Sequence, residues 1–335
     1  EAIVGNKDKQ RDLAVMAEEW RKAVVTEIGR ERYDALSKQL GCDLAYAYID
    51  HRMEQLMIEK LVKVRMPKSS ADYIIRKAAQ SSLFGLPYEL NKGETDQVKQ
   101  HWQEKLPTLF HGVKYLSAEK IYQEMLTDFA SIPRSQKKKI KVGIIGEIYV
   151  KYSPLANNHL EEFLIQEGCE PVVPTLMEFI LYCAANTGTN GKLYQYHNLK
   201  TAMFNLGYDF LHSKQVQMIR CIQKQGVFTP PHDFEDLRKA ADKYISQGVS
   251  MGEGWMITAE MAVLAETGTE NIICTQPFGC LPNHIVAKGM ARTIKNAYPN
   301  ANIVAIDYDP GATRVNQENR IKLMLANARQ TATEK

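Results

Sequence analysis

From Ile140 onward the chain alternates short apolar runs with helix-length segments, and few architectures accommodate that alternation. The runs are Ile140 to Gly146, Pro171 to Pro174, the weaker Val249 to Met251, Asn271 to Cys274, and Asn302 to Asp307. Helical spacing covers Leu155 to Glu167, Leu176 to Ala185, Leu199 to Lys224, Phe234 to Gln247, Trp255 to Glu266 and Ile285 to Ala297. A last helix is expected from Thr313 to about Ala328. Strands alternating with helices predict an α/β fold with a Rossmann-like, doubly wound parallel sheet. Right-handed crossovers then put every strand's C-terminal end on one edge. Residues 188–198 (GTNGKLYQYHN) read as a long polar loop.

The first 136 residues form an N-terminal, mostly helical region, and residues 137–330 the Rossmann-like domain. Apolar residues recur at helical spacing over Asp8 to Lys38 and again over Leu44 to Val64. Further helices are expected from Ala71 to about Ser82, with Ser70 as cap, from Thr95 to Leu106, and from Ser117 to Phe129. The basic run Lys137-Lys138-Lys139 falls between the two regions and reads as a solvated linker.

A formal net charge of +3 gives no argument for nucleic acid. No stretch approaches the ~18 apolar residues of a membrane span, and Glu1 to Asp12 is too polar for a signal peptide. Six cysteines spread over 335 residues do not resemble a disulfide framework, so a reducing cytoplasm is the expected location. The chain lacks an initiator Met and is expected to be a fragment or a processed product.

The predicted topology collects candidate site residues at the strand ends. The first strand ends at Gly146-Glu147, the third at Gly252-Glu253-Gly254, the fourth at Gln276 to Cys280, and the fifth at Asp307-Tyr308-Asp309. In open α/β sheets such ends form the ligand crevice. The crevice candidates are Glu147, Glu253, Gln276, Asn283, His284, Asp307 and Asp309. Each carboxylate also has a structural reading: Glu147 and Glu253 bonding nearby amides or a helix start, Asp309 an ordinary Asp-Pro-Gly turn. As an acid–base set, Glu147, Glu253 and Asp309 would instead suit a small-molecule enzyme.

Gly143-Ile144-Ile145-Gly146 lacks the third glycine of a dinucleotide fingerprint, and no P-loop occurs, so no ATP site is expected. Cys280 precedes a helix with Pro282 in its first turn, where unpaired backbone N–H groups favour a thiolate. Cys274 lies on the strand itself and reads as a small buried hydrophobe. Core packing is expected for Cys42, Cys169, Cys183 and Cys221.

Several segments in order resemble a known family: Tyr88 to Asp96, Gly143 to Lys151, Asn157-Asn158, Gly252 to Trp255, Gln276-Pro277-Phe278-Gly279-Cys280-Leu281-Pro282-Asn283-His284, and Asp307 to Gly311. Over roughly residues 70–328 the chain is similar to the C-terminal part of the large activator-related proteins of 2-hydroxyacyl-CoA dehydratases. That part is itself similar to the dehydratase D-component and to benzoyl-CoA reductase subunits. The resemblance implies Rossmann-like domains with helical additions, and a [4Fe–4S] cluster held between domains by cysteines. It also implies an ATP-driven activator that feeds the cluster one electron, and a lyase that removes water from a 2-hydroxyacyl-CoA.

Only Cys280 carries over as a candidate cluster ligand. The family's further cysteine motifs and its ATPase module have no counterpart in this sequence. A cluster needs three or four thiolates, so this chain is expected to contribute part of a cluster or of an acyl-CoA site and to be inactive in isolation. The expected partners are other domains or subunits of the same system and an acyl-CoA, with no nucleic acid and no membrane. The alternative is a non-catalytic Rossmann-like scaffold or interaction module of a larger multidomain protein.

Overall fold

A computed structural model describes residues 86–109, 118–195, 199–309 and 311–334, together with 18, 21–22 and 24–40. The helices expected over 44–64 and 71–82, and Cys42, lie outside the described residues. The chain divides into two compact units, Glu1–Met66 with Pro107–Leu116, and Pro67–Leu106 with Ser117–Lys335. In the first, the described helix is α1 (Arg30–Leu40). The second is built on strands β1 (Lys141–Gly146), β2 (Glu170–Val172), β3 (Asn271–Gln276) and β4 (Asn302–Asp307).

The sheet order is β2-β1-β3-β4, and every pairing is parallel. The chain leaves β1 towards β2 on one side and later returns to place β3 on the other. The topological switch point therefore lies between β1 and β3, as the α/β reading of the sequence requires. Apolar residues alternate sides with a period of two. Val142, Ile144 and Ile273 join one core with Leu160, Leu164, Ile306, Ile321 and Leu325. Ile145, Ile272 and Cys274 join the other with Leu181, Phe234, Leu237, Trp255 and Ile257. Burial on both faces is why the strands read as continuous apolar runs.

The remaining described helices are α2 (Glu94–Leu109), α3 (Ala118–Ala130), α4 (Ile148–Tyr152), α5 (Leu160–Gln166), α6 (Leu176–Leu193) and α7 (Leu199–Gln225). After them come α8 (Phe234–Tyr244), α9 (Gly254–Glu266), a π-helical turn (Pro282–Ala287), α10 (Lys288–Ala297) and α11 (Arg314–Glu334). Every residue of α9 from Gly254 to Ala265 is buried, so this helix forms the centre of one layer. Gly143 lets it lie close, since a Cβ there would come within 2.7 Å of Leu264 Cδ1.

Four sequence expectations change. Val249 to Met251 is a turn and not a strand: Trp255 N–H donates to Val249 O (2.7 Å), and Gly252 and Gly254 take positive φ of 54° and 32°. The backbone groups that a ladder would need are spent inside the turn. The helix expected from Leu155 begins only at Leu160, as α5, because Asn158 and His159 adopt left-handed φ of 54° and 58°, and the unexpected short helix α4 precedes it. The loop expected over 188–198 is helical through Leu193. Gly188 is buried within that helix, its Cα facing the Asn205 side chain of α7. Finally, Cys183 is exposed where core packing was expected, whereas Cys169, Cys221 and Cys274 are buried.

β1 ends where glycine alone fits. Gly146 has φ 119°, and a Cβ on it would lie 2.1 Å from Thr275 O of β3. Gly146→Ala therefore combines a backbone clash with a disfavoured conformation. It is expected to cost roughly 3 kcal/mol or more, read as a lowered urea-unfolding midpoint; an unchanged midpoint would contradict this packing.

Candidate functional site

The C-terminal edge of the sheet is assembled by backbone bonds that continue past the strands. Glu147 N–H donates to Thr275 O (2.9 Å) and Tyr308 N–H to Gln276 O (2.7 Å). These two contacts fix the segments after β1 and β4 against β3. The 249–254 turn reaches the same edge because Trp255 anchors it. The Trp255 indole is fully buried, lies against Tyr182 (5.1 Å) and Phe234 (6.0 Å), and donates to Asn186 Oδ1 (3.1 Å). Tyr182 O–H in turn donates to Gly252 O (2.8 Å).

Two of the predicted carboxylates converge, and both are occupied by amides. Glu147 caps α4, its Oε2 accepting from Val150 N–H (2.8 Å). Glu253 reaches across to accept from Ile148 N–H (3.0 Å). Together they satisfy unpaired donors at the start of a five-residue helix. Asp309 stands apart, exposed in its turn. The three carboxylates thus form no shared acid–base site.

A second group does assemble. Gln276 is fully enclosed; its Nε2 donates to Asp307 Oδ1 and lies 3.4 Å from His284 Nε2. Asp307 Oδ1 is also 3.8 Å from His284 Nε2 and 3.6 Å from Lys288 Nζ. Lys288 was not foreseen, although it lies four residues after His284 and so shares its helix face. Asn158 and Gln317 brace the same corner: Asn158 Nδ2 donates to Gln317 Oε1 (2.7 Å), and Gln317 Nε2 donates to Asp307 O (2.9 Å).

Cys280 sits beside this group, half-buried, with Asn283 Nδ2 donating to its sulfur at 3.3 Å. The sequence suggested an ordinary helix start here. The structure instead has a wide π turn over Pro282–Ala287, a geometry frequent at functional sites. His284 closes the turn, its Nδ1 lying 3.0 Å from Cys280 O. Gln276 Oε1 and Asn283 Oδ1 are enclosed and have no hydrogen-bond partner among the described residues. Each costs about 1–3 kcal/mol if left unmet. Around the edge, Tyr149, Met251, Phe278, Leu281 and Ile285 are all more than half exposed.

A complete iron–sulfur site does not fit the described residues, among which no group of three or more His, Cys, Asp or Glu side chains could hold a metal ion. Burial, and then the Glu260 carboxylate, push the Cys274 thiol up to about 12, so it stays protonated within the core. Among the described residues no helix is long and apolar enough to cross a membrane.

Beneath the crevice lies a charge cluster that the sequence reading missed. Lys151 of α4 and Glu260 of α9 pair at 2.9 Å, with side chains 1% and 2% exposed. Glu178 of α6 is buried beside them, and desolvation followed by repulsion from Glu260 raises its carboxyl to about 8. A Lys within IYVKY and a Glu within an apolar helix carry no periodic signal that would pair them across 109 residues.

Glu178 makes the stability pH-dependent. The folded carboxyl keeps its proton to about pH 8, whereas the ordinary value is 4.5. Between those values the unfolded state binds fewer protons, so stability falls as pH rises, by up to ~1.4 kcal/mol per pH unit, and levels off above. Glu178→Gln is expected to reduce that slope in urea unfolding measured from about pH 5 to about pH 8, the Glu260 carboxyl, also raised by burial, contributing in the same direction; an unaltered slope would assign it to Glu260 and other groups. Comparison of the chain with protein-family models, with curated proteins and with solved structures finds no match in any of the three.

Proposed function

We propose that the chain is a component of an iron–sulfur system of the 2-hydroxyacyl-CoA dehydratase type, contributing Cys280 as one thiolate of a [4Fe–4S] centre. The remaining ligands come from outside the described residues, from another part of the chain or from another subunit. The observation that carries this reading is the setting of Cys280. Its sulfur is half-buried at the crevice mouth and accepts an N–H from Asn283, the kind of bond that tunes cluster thiolates. The string Gln276 to His284 that bears the family resemblance is also the segment that shapes this mouth.

The exposed apolar residues around the mouth support a partner that covers it. Phe278, Leu281 and Ile285 flank Cys280 in sequence, and docking over them would exclude water from a bound centre. Gln276 Oε1 and Asn283 Oδ1 are unmet acceptors enclosed beneath the same place, where an ordered water would satisfy them. An isolated chain with one placed thiolate would not turn over substrate, so catalysis belongs to the assembled system.

A second reading, a non-catalytic interaction module, is favoured by the fate of Glu147 and Glu253, which cap amides and leave the edge without an acid–base pair. Anaerobic reconstitution with ferrous iron and sulfide separates the two. Iron and acid-labile sulfide bound by the wild-type chain within its assembled parent system are expected to be lost in Cys280→Ser and retained in Cys274→Ala. Asn283→Leu, which deletes the N–H to sulfur, is expected to weaken metal binding about 10-fold. Equal iron in Cys280→Ser and wild type would exclude the ligand role, and no iron in any form would favour the module.

A further inference from the structure

The opposite edge of the sheet carries a feature that the proposed function does not use. Where the four strands begin, at Lys141, Glu170, Asn271 and Asn302, the surface opens into a cleft of about 920 Å³. That volume lies within the range of small-molecule sites. Every lining residue belongs to the same compact unit. Five cationic side chains line it, Arg134, Lys138, Lys139, Lys141 and Lys295, against two carboxylates, Glu170 and Glu270.

The carboxylates are already engaged. Tyr88 O–H donates to Glu170 Oε2 (2.5 Å), and Asn300 Nδ2 donates to Glu270 Oε1 (3.1 Å). None of the four lysines forms an ion pair with a described residue. Two of the cations are positioned by aromatic rings. Arg134 lies 4.7 Å from the Phe228 centroid and donates to Phe129 O (2.8 Å), and Lys139 lies 5.7 Å from that of Tyr88.

A structural explanation exists for two of these charges. Lys295 stands in the last turn of α10, and Arg134 donates to Phe129 O in the last turn of α3, so both complement a helix dipole. It does not extend to the others, since Lys138 and Lys139 lie on the linker before β1, and Lys141 is the first residue of that strand. The Lys137-Lys138-Lys139 run is thus not only a solvated linker: its second and third lysines face a concave wall. Five cations against two carboxylates leave an excess of positive charge, and such an excess in a concavity focuses potential and draws anions. Phosphoryl oxygens bind such groups through short charge-assisted hydrogen bonds.

We propose that this cleft binds a phosphate-bearing small molecule of nucleotide size. The site is independent of Cys280 and lies on the other edge of the sheet. A single concave cleft at the strand starts, rather than a basic stripe along a face, favours a small ligand over a nucleic acid strand.

Isothermal titration of the full chain with ADP and with inorganic pyrophosphate tests this. Saturable binding of one probe molecule per chain is expected. It should weaken at least about tenfold in Lys139→Gln/Lys295→Gln, which removes two of the cleft's charges. Lys120→Gln/Lys322→Gln lowers the net charge equally away from the cleft and should leave binding unchanged. Circular dichroism of each variant confirms that it is folded. Absence of saturable binding to both probes, equal weakening in the two double variants, or tighter binding of single-stranded RNA than of ADP would each overturn the proposal.

Discussion

The two central strands meet so closely at Gly146 that no side chain fits between them, and the upper edge of the sheet is arranged around that contact. β1 and β3 stay paired through Gly146 and Thr275, and the chain then turns away in opposite directions. Because the Glu147 amide is bonded to Thr275 O, α4 begins at a fixed point beside β3. Its free amides then recruit two carboxylates, one from its own cap and one from the turn before α9. The crevice is in this sense a consequence of how a short helix is started. A looser junction would leave Ile148 N–H and Glu253 without each other, and the 249–254 turn would lose its tie to the edge.

The sheet was legible because burial on both faces writes itself into sequence as unbroken apolar runs, and four of the five predicted runs are strands. The failure at Val249 to Met251 is instructive. Three apolar or small residues flanked by glycines look like a short strand, but the glycines supply positive φ for a turn whose hydrogen bonds are local. Gly188 is the reverse case: it stands where the polar sequence reads as a loop, yet it is buried inside α6 beside the Asn205 side chain of α7. A glycine's role depends on what approaches it, and that information is not local.

The same limit applies to the site. Convergence at the strand ends followed from topology, so Gln276, His284 and Asp307 could be brought together on paper, and they do meet in the fold. Which of the polar residues would be consumed by amides could not be read, because that depends on where α4 starts. The Lys151–Glu260 pair was further out of reach, since both partners occupy otherwise apolar surroundings. Burying such a pair seldom adds stability relative to a hydrophobic substitute, but removing one partner strands the other, at about 3–5 kcal/mol. Its effect is to tie α4, at the crevice, to the middle of the buried helix α9. With Glu178 kept neutral beside it, the cluster holds a single compensated pair rather than an excess negative charge.

The two edges of the sheet differ in kind. On the C-terminal edge the ionisable groups are largely matched: Glu147 and Glu253 to amides, Asp307 to Gln276, with His284 and Lys288 nearby, and what stays open is apolar surface and one thiol. On the N-terminal edge two carboxylates accept from neutral donors, and the cations outnumber them five to two. A surface of exposed apolar residues suits a partner that covers it and excludes water. A concave surface with spare positive charge suits an anion that keeps part of its hydration. Because the strands span the distance between the edges, both can be occupied at once.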